Sequence, residues 1–252
     1  GNTVIVQSNT GGLVKGTSSF TGWNTQADGN GITYACGAKF TMGNEPVTLY
    51  AMYSGNAVMD NDGNLYATVT IGTQVWLVEN LKTTKYRDGT PIPNVINNTD
   101  WSNLLTPGYC WYNNNGQNKE PTGALYNWYT VNTGNLAPAG WHVPTDAEWG
   151  TLETYLGGSS VSGGKLKVTG TTYWESPNNG ATNESGFSAF PGGDRDGGGG
   201  TFSSFSMSGV WWSTTELDTD NAAYCYMTAL SARFFRSDGT KKCGFRVRCV
   251  RD

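Results

Sequence analysis

The chain lacks any hydrophobic run long enough to cross a membrane, since no window approaches the ~20 apolar residues that a transmembrane helix needs. Charge is also scarce, because only 14% of the residues are charged against roughly 25% in an ordinary soluble domain. The net charge is −4, and the basic residues near the C terminus are interrupted by apolar ones. Without a basic stripe, we expect no nucleic-acid partner.

Histidine and metal-type cysteine spacing are missing as well. His142 is the only histidine, and the five cysteines include no C-x-x-C pair, which argues against a zinc site. Cys225 and Cys243 could join neighbouring strands as a disulfide in an oxidising compartment. Buried free thiols are an equally good interpretation, and with an odd number at least one cysteine stays free or pairs between chains.

Glycine and aromatic residues are abundant, with 35 Gly, 10 Trp and 13 Tyr in 252 residues. Glycines accompany turns and close backbone approaches, and large aromatic side chains supply much of a core. This mixture favours a loop-rich surface protein over a helical cytoplasmic enzyme. The length allows one large domain or two small ones.

The first 55 residues have the pattern of a small β-rich unit. Strand-like stretches at 3–6, 20–24 and 47–51 surround a glycine-rich turn at 27–31. We expect Trp23 and Tyr50 to pack in the core of this unit. Because Gly1 opens inside a strand-like stretch, we also expect that the sequence lacks its native N terminus.

The segment "FTGWNTQADGNGITYACGAKF", followed by "VTLYAMYS", resembles the Listeria–Bacteroides repeat of bacterial surface proteins. The final aromatic residue is Tyr53, where the repeat usually has Trp. The resemblance implies a β-grasp-like spacer module over residues 1–55 that lacks its first strand.

A second domain is predicted over residues 59–252. Asp60–Asn64 resembles the front of a calcium loop, but the distal Glu is absent, so a hairpin turn is the better interpretation. Two alternating strands follow, Leu65–Ile71 and Gln74–Leu81. The last segment, 244–250, alternates apolar residues with Arg246 and Arg248, which predicts a half-buried strand.

Two helices are predicted in this domain. Thr122 could cap the first, in which Leu125, Trp128 and Tyr129 share a face. The second begins with a capping box, in which Thr145 and Glu148 each satisfy a free backbone N–H. It ends before Gly157-Gly158.

Several motifs of this region occur in a fixed order. They are "DGNLYATVTIGTQVWLVENLKTTKYRDGTPIP", "GALYNWYTV", "GWHVPTDAEWGTLETYLGG", "GFSAFPGGDRD", "WWSTTELDTDNAAYCYMT" and "GFRVRCVRD". Together they resemble the Fibrobacter succinogenes major paralogous domain, found in surface proteins and lipoproteins of Bacteroidetes and Fibrobacteres. G-W-H-x-P-T-x-x-E-W and the terminal G-F-R-V-x are also similar to formylglycine-generating enzymes and C-type-lectin-like domains.

The resemblance implies an α+β, C-type-lectin-like fold, with two helices packed on a curled antiparallel sheet and long loops on one face. It also implies an extracellular protein, at the cell surface or anchored to the outer membrane. Relatives often carry a Cys just before the G-W-H element, and here residues 135–139 have none. The usual partner of Cys249 is therefore missing, and Cys110 is a possible substitute.

In lectin-like folds, the late loops and strands bind the ligand. The residues that the resemblance places there are Asp194, Arg195, Asp196, Trp212, Glu216, Asp218, Asp220, Asn221, Tyr224, Tyr226, Arg233, Phe235 and Arg236. Aromatic faces stack on sugar rings, while carboxylates and amides bind hydroxyl groups or a calcium ion. We therefore predict a non-enzymatic adhesin for glycan or protein that needs no cofactor, with calcium as an alternative.

Two other functions stay open. The first is a structural or display role, as a fimbrial component or a lectin-like scaffold with variable C-terminal strands. The second is a hydrolase or oxidase. Cys243 and Cys249 would lie about 20 Å apart on one strand, too far to share a copper ion unless the chain folds back. The sequence marks no nucleophile beside His142, and carboxylate pairs among the late acidic residues stay possible.

Overall fold

The computed structural model describes residues 3–7, 9, 18–27, 32–35, 37–43, 45–56 and 58–252. Cys36 and most of the predicted turn at 27–31 lie outside this part of the chain. The described residues form a mixed α/β structure, with most strands in several small antiparallel sheets and few helices. The chain divides into two compact units, Gly1–Val58 with Leu65–Thr68, and Met59–Asn64 with Val69–Asp252.

The N-terminal unit consists of short antiparallel strands. They are β1 (Thr3–Ile5), β2 (Ser18–Asn24), β3 (Thr33–Tyr34), β4 (Lys39–Thr41) and β5 (Tyr50–Asn56). β1 pairs with β4, and β2 lies between β3 and β5. A Cβ at Gly22 would lie 2.6 Å from the carbonyl oxygen of Tyr34, so only glycine allows β2 and β3 to approach this closely.

Aromatic packing in this unit centres on Phe20. Its ring lies 5.2 Å from that of Trp23 and 6.0 Å from that of Tyr53, and the indole N–H of Trp23 donates to the carbonyl of Gln7. Tyr50, predicted to be a core residue, is 43% exposed. That prediction is wrong, because alternation along β5 directs Tyr50 away from the Phe20 cluster.

The larger unit contains four α-helices and two principal sheets. The helices are α1 (Asn98–Asn103), α2 (Trp128–Val131), α3 (Asp146–Tyr155) and α4 (Ser159–Leu166). The strands from the boundary onward are β6 (Val58–Met59), β7 (Leu65–Tyr66), β8 (Thr68–Ile71), β9 (Gln74–Leu77), β10 (Tyr109–Cys110), β11 (Leu125–Tyr126), β12 (Trp141–His142), β13 (Asp194–Arg195), β14 (Phe202–Ser203), β15 (Ser208–Glu216), β16 (Asn221–Thr228), β17 (Phe235–Thr240) and β18 (Val250–Arg251). One sheet has the order β12-β18-β9-β8, and the other has the order β15-β16-β17.

Parts of 59–81 and the start of α3 follow their sequence patterns, although the first predicted strand is interrupted at Ala67 and the second ends at Leu77. The Asp60 carboxylate accepts N–H bonds from Asp62 and Asn64, which confirms the predicted turn, and β8 and β9 form the predicted hairpin. The capping box of Thr145 and Glu148 is present at the start of α3. Trp149 of α3 packs on Trp76 of β9, with ring centroids 4.8 Å apart, at the centre of the main core.

The first predicted helix and the final predicted strand are wrong. Leu125 pairs with Cys110 in a β-ladder, and Asn127, not Thr122, caps the four-residue helix α2. The segment 244–250 is buried on both faces and makes only isolated bridges until Val250. The side chains of Arg246 and Arg248 point inward, because their N–H groups donate to carbonyls of surrounding loops.

These inward-facing cations organise the loops. Arg248 donates to the carbonyls of Leu77, Val78 and Phe187, and its guanidinium lies 4.2 Å from the ring centroid of Phe187. Arg246 donates to the carbonyls of Gly123 and Gly192. Burial lowers the pKa of Arg246 to about 10 and that of Arg248 to about 9, so both remain charged at neutral pH.

Arg195 and Lys167 act in the same way. Arg195 donates to the carbonyls of Gly200, Val95 and Ile96 and lies between the rings of Trp101 and Phe202. Lys167 follows α4 and donates to three carbonyls, those of Asn179, Thr228 and Ser231, at 2.8–3.0 Å. Its side chain lies beside the ring of Trp174. Three segments, at residues 167, 179 and 228–231, therefore meet at one ammonium group.

The cysteines do not cross-link these loops. Cys110, Cys225, Cys243 and Cys249, the four cysteines in the described part of the chain, are free thiols. Cys225 lies in β16 and faces the main core, where burial raises its thiol pKa well above the usual value. The Cys225–Cys243 bridge, which was one of the two interpretations of the sequence, is not formed.

We expect Lys167→Met to lower the free energy of unfolding by about 2–4 kcal/mol, because three partly buried carbonyls lose their donor. Burial lowers the pKa of Lys167 to about 8, so its ammonium carries three protons at pH 7, one for each carbonyl. Urea denaturation measures the change. The control is Lys165→Met on α4, which removes only a surface pair with Glu184 and should cost less than about 1 kcal/mol. Equal effects of the two variants would contradict the assigned role of Lys167.

Candidate functional site

The candidate site lies on the sheet β15-β16-β17, whose two faces differ. In β16, Cys225 and Met227 point into the main core, and the alternate residues Tyr224, Tyr226 and Thr228 are half-buried on the opposite face. The register places Tyr226 between Val210 of β15 and Phe235 of β17. Alternation along a single strand therefore separates core residues from surface residues.

A cleft of 310 Å³ opens beside this face. Its lining residues are Asp194, Ser204, Met207, Ser208, Val210, Tyr224, Tyr226, Thr228 and Phe245. We call it the aromatic cleft. The ring of Tyr224 lies 4.8 Å from that of Phe245 and 6.0 Å from that of Tyr226. Tyr226 stacks on Phe235 at 4.7 Å, with an angle of 9° between the ring planes.

Asp194 supplies the negative charge of the aromatic cleft. It lies on β13, where its carboxylate accepts a hydrogen bond from the Ser203 hydroxyl at 3.1 Å. Burial, together with the nearby charge of Asp196, raises the pKa of Asp194 above its usual value, although the bond from Ser203 and the charge of Arg246 oppose this. A carboxylate among aromatic rings is suited to accept hydroxyl or ammonium protons from a ligand.

Three of the predicted ligand-binding residues line the aromatic cleft, and two more lie beside it. Asp194, Tyr224 and Tyr226 line it, and Phe235 extends the aromatic surface beyond Tyr226. Arg233 follows, with its guanidinium 5.4 Å from the ring centroid of Phe235. Residues from β13, β16 and β17 thus form one continuous surface.

Four other predicted residues lie together at the turn between β15 and β16. Asp218 accepts hydrogen bonds from the backbone of Asp220 and from the backbone and side chain of Asn221. The bonds from Asn221 and from the backbone N–H of Asp220 lower the pKa of Asp218. Glu216 pairs with the ammonium of Lys241, which also donates to the carbonyls of Asp218 and Thr219. These polar groups hold the turn and do not line the aromatic cleft.

Arg195 and Trp212 were predicted to contact ligand, and the structure corrects both predictions. Their side chains are fully buried, Arg195 because it binds loop carbonyls. The indole N–H of Trp212 donates to the carbonyl of Tyr126 at 2.8 Å, and its ring lies 4.4 Å from that of Phe245. Trp212 therefore supports the wall of the cleft from behind.

Asp196 and Arg236 are exposed but lie outside the aromatic cleft. The Asp196 carboxylate accepts the backbone N–H of Gly199 and so closes the glycine loop 197–200. Arg236 points to the other side of β17, where it pairs with Asp146 and Glu153 of α3. The side chains of Phe235 and Arg236 diverge because they are neighbours on one strand.

The sequence prediction omitted several residues of the aromatic cleft. They are Ser204, Met207, Ser208, Val210, Thr228 and Phe245. Thr228 could have been found, because it continues the alternation of Tyr224 and Tyr226. Phe245 carried no such signal, since its segment was predicted to be a strand with a uniformly buried apolar face.

No group of His, Cys, Asp or Glu side chains suited to hold a metal ion occurs among the described residues. Likewise, none of the helices in the described part of the chain has the length and apolar character that crossing a bilayer requires.

Comparisons with known proteins agree with the motif order. The profile of the Fibrobacter succinogenes major domain matches residues 69–251, which is the greater part of the chain. The chain belongs to this family. Within the Fibrobacter succinogenes major domain, the residues of the aromatic cleft come from the last third of the sequence. α3 and the β8–β9 hairpin contribute residues to the main core.

Two curated relatives share short stretches with the chain. One, named provisionally as a Gly-rich membrane protein of Evansella cellulosilytica, is 57% identical over 44 residues, or 18% of this chain and 5% of that protein. The other, named provisionally as a membrane protein of the same organism, is 47% identical over 38 residues, or 15% of this chain and 6% of that protein. The chain thus spans a small fraction of either relative. No solved structure matches it.

His142, the only histidine, connects three parts of the Fibrobacter succinogenes major domain. From β12, its Nδ1 lies 2.7 Å from a carboxylate oxygen of Asp252, and its Nε2 lies 2.7 Å from one of Glu148 in the α3 capping box. Burial lowers the pKa of His142, but the hydrogen bonds to Asp252 and Glu148 outweigh it and raise the pKa above the usual value. Both ring nitrogens are therefore engaged by carboxylates.

We expect the single His142 ring signal in NMR to titrate above about 6.5, and Glu148→Gln or Asp252→Asn to lower its pKa. Because the folded-state pKa is raised, the stabilisation is fully present below the unfolded pKa and is lost as pH rises through the folded pKa. The half-exposed ring limits the effect to about 1 kcal/mol or less. His142→Gln should therefore destabilise the chain more at pH 6 than at pH 9, measured by thermal unfolding. An equal loss at both pH values would contradict the assignment.

Proposed function

We propose that this chain is a non-enzymatic binding protein of the cell surface, which binds a glycan in the aromatic cleft of a C-type-lectin-like domain. The single observation that carries the proposal is the grouping of Tyr224, Tyr226 and Phe245 with the carboxylate of Asp194. Aromatic faces pack against the C–H face of a sugar ring, and a carboxylate accepts its hydroxyl protons.

The C-type-lectin-like assignment is part of the proposal and rests on the motif order together with the placement of the cleft. Residues from the late loops and strands form the cleft, as the lectin-like fold implies. We also assign the N-terminal unit to the Listeria–Bacteroides repeat, with a role as a spacer. Its pairing of β2 with β5 and the Phe20 aromatic cluster support a small β-module.

A surface location is proposed on two grounds. Low charge and abundant aromatic and glycine residues are suited to a loop-rich extracellular protein, and both curated relatives carry names that describe membrane proteins. We place the chain outside the cell, on the surface or anchored to the outer membrane.

The hydrogen bonds made by the histidine and by two of the late carboxylates favour binding without catalysis or cofactor. Both nitrogens of His142 hold carboxylates, and the carboxylates of Asp196 and Asp218 accept backbone N–H groups of their own turns. A catalytic carboxylate pair would need two such groups free to face one substrate. Because the carboxylates of Asp196 and Asp218 are already used within their own turns, we also propose that binding is independent of calcium.

A display role is the second candidate, favoured by one observation. Tyr224, Tyr226, Thr228 and Phe235 occupy the surface face of β16 and β17, while the core residues occupy the other face. Such positions could vary among related genes without disturbing the core. Variation confined to 212–236 in sister genes would favour display, and dispersed variation would favour a simple scaffold.

The test is a glycan array with the purified chain, run with calcium and again with a chelator. We expect hits under both conditions and a loss of affinity of about tenfold or more in Tyr226→Ala, because about 1.5 kcal/mol of ring stacking is removed. Tyr155→Ala is the control, since Tyr155 is 64% exposed on α3 and does not line the cleft. A blank array in both conditions would overturn glycan binding, and hits lost only with chelator would overturn calcium independence.

A further inference from the structure

The size of the aromatic cleft restricts what it can hold. At 310 Å³, it lies at the lower end of the range for small-molecule sites, roughly 300–1,000 Å³. A single monosaccharide ring or one amino-acid side chain fits this space, whereas a long oligosaccharide does not. The ligand group that enters is therefore one residue of a larger molecule, or a small molecule.

The charge of the aromatic cleft is one-sided. Asp194 is the only ionised group among the described lining residues. An ionised carboxylate has about four acceptor positions, and the Ser203 hydroxyl occupies one of them. Asp196 adds negative charge nearby. An anionic sugar such as a uronic acid would meet repulsion here with no cation to bind it.

Two arginines lie close by, but neither provides that cation. The Arg246 guanidinium is fully buried and donates to the carbonyls of Gly123 and Gly192. Arg233 lies over Phe235, and neither arginine lines the cleft. The carboxylate therefore faces the cleft with acceptor capacity available for a ligand.

The aromatic rings that line the cleft also favour a positively charged ligand. Tyrosine and phenylalanine rings attract cations to their faces, and the effect strengthens as the site loses water. The ring of Tyr224 lies within 6.0 Å of those of Tyr226 and Phe245 along the cleft. A carboxylate beside such rings is a common way to bind an ammonium group.

We propose that the aromatic cleft binds an amino sugar with a free, protonated amine, whose ring packs on Tyr224 and Tyr226 while its ammonium pairs with Asp194. This inference rests on the proposed function and names the class of glycan. A pyranose ring offers a C–H face that packs against an aromatic ring, and the flexible chain of a lysine offers none. The free amine distinguishes this ligand from neutral and N-acetylated sugars.

The test compares the methyl glycosides of glucosamine, N-acetylglucosamine and glucose by isothermal titration calorimetry or NMR at pH 6.5, where the amine is protonated. We expect the glucosaminide to bind about tenfold or more tightly than the other two. Asp194→Asn should reduce this preference to about twofold or less, because it weakens binding of the glucosaminide far more than binding of the N-acetylglucosaminide. Asp238→Asn is the control, because Asp238 is exposed on β17 and does not line the cleft.

The outcomes separate this inference from the proposed function. Equal binding of all three glycosides by the unsubstituted chain would overturn the amine selectivity and leave glycan binding in place. Binding of none of them, together with a blank glycan array, would overturn the proposed function and this inference with it. Tighter binding of lysine amide than of the glucosaminide would overturn the sugar class and indicate a protein ligand.

Discussion

Backbone carbonyls without strand or helix partners are the main physical problem of this domain, and buried cations satisfy many of them. Arg195, Arg246, Arg248 and Lys167 each donate to carbonyls from at least two loops or strand ends. A charged donor forms stronger hydrogen bonds than a neutral one, and aromatic faces beside three of the four cations partly offset the loss of hydration. Long irregular segments are thereby held in place without disulfides.

The aromatic cleft depends on this arrangement. Arg246 and Phe245 are neighbours, so the guanidinium that binds Gly123 and Gly192 also fixes the backbone that presents Phe245. Gly192 leads directly to Asp194. Trp212, held by the carbonyl of Tyr126, packs against Phe245 from the inner side. The cleft is therefore shaped by side chains that a ligand would never touch.

The sequence predicts interactions between residues that are close along the chain, but it does not predict interactions between distant residues. Local patterns worked: the Thr145–Glu148 capping box and the β8–β9 hairpin are each determined within about ten residues. Long-range effects were missed. Leu125 pairs with Cys110, and Arg248 finds carbonyls near residues 77 and 187, and no sequence period encodes such partners. For the same reason, the late acidic residues were predicted as one group, although Lys241 draws Glu216 and Asp218 to a separate turn.

The alternation along β16 has an evolutionary consequence. In β16, the core residues Cys225 and Met227 alternate with residues that face the cleft. Positions that determine stability and positions proposed to determine specificity are therefore adjacent in sequence but lie on opposite faces of one sheet. Under the proposed function, substitutions at 224, 226, 228 and 235 would change the binding surface, while the tryptophan core lies on the other face. This separation would allow the proposed specificity to change without a change in the packing of the core.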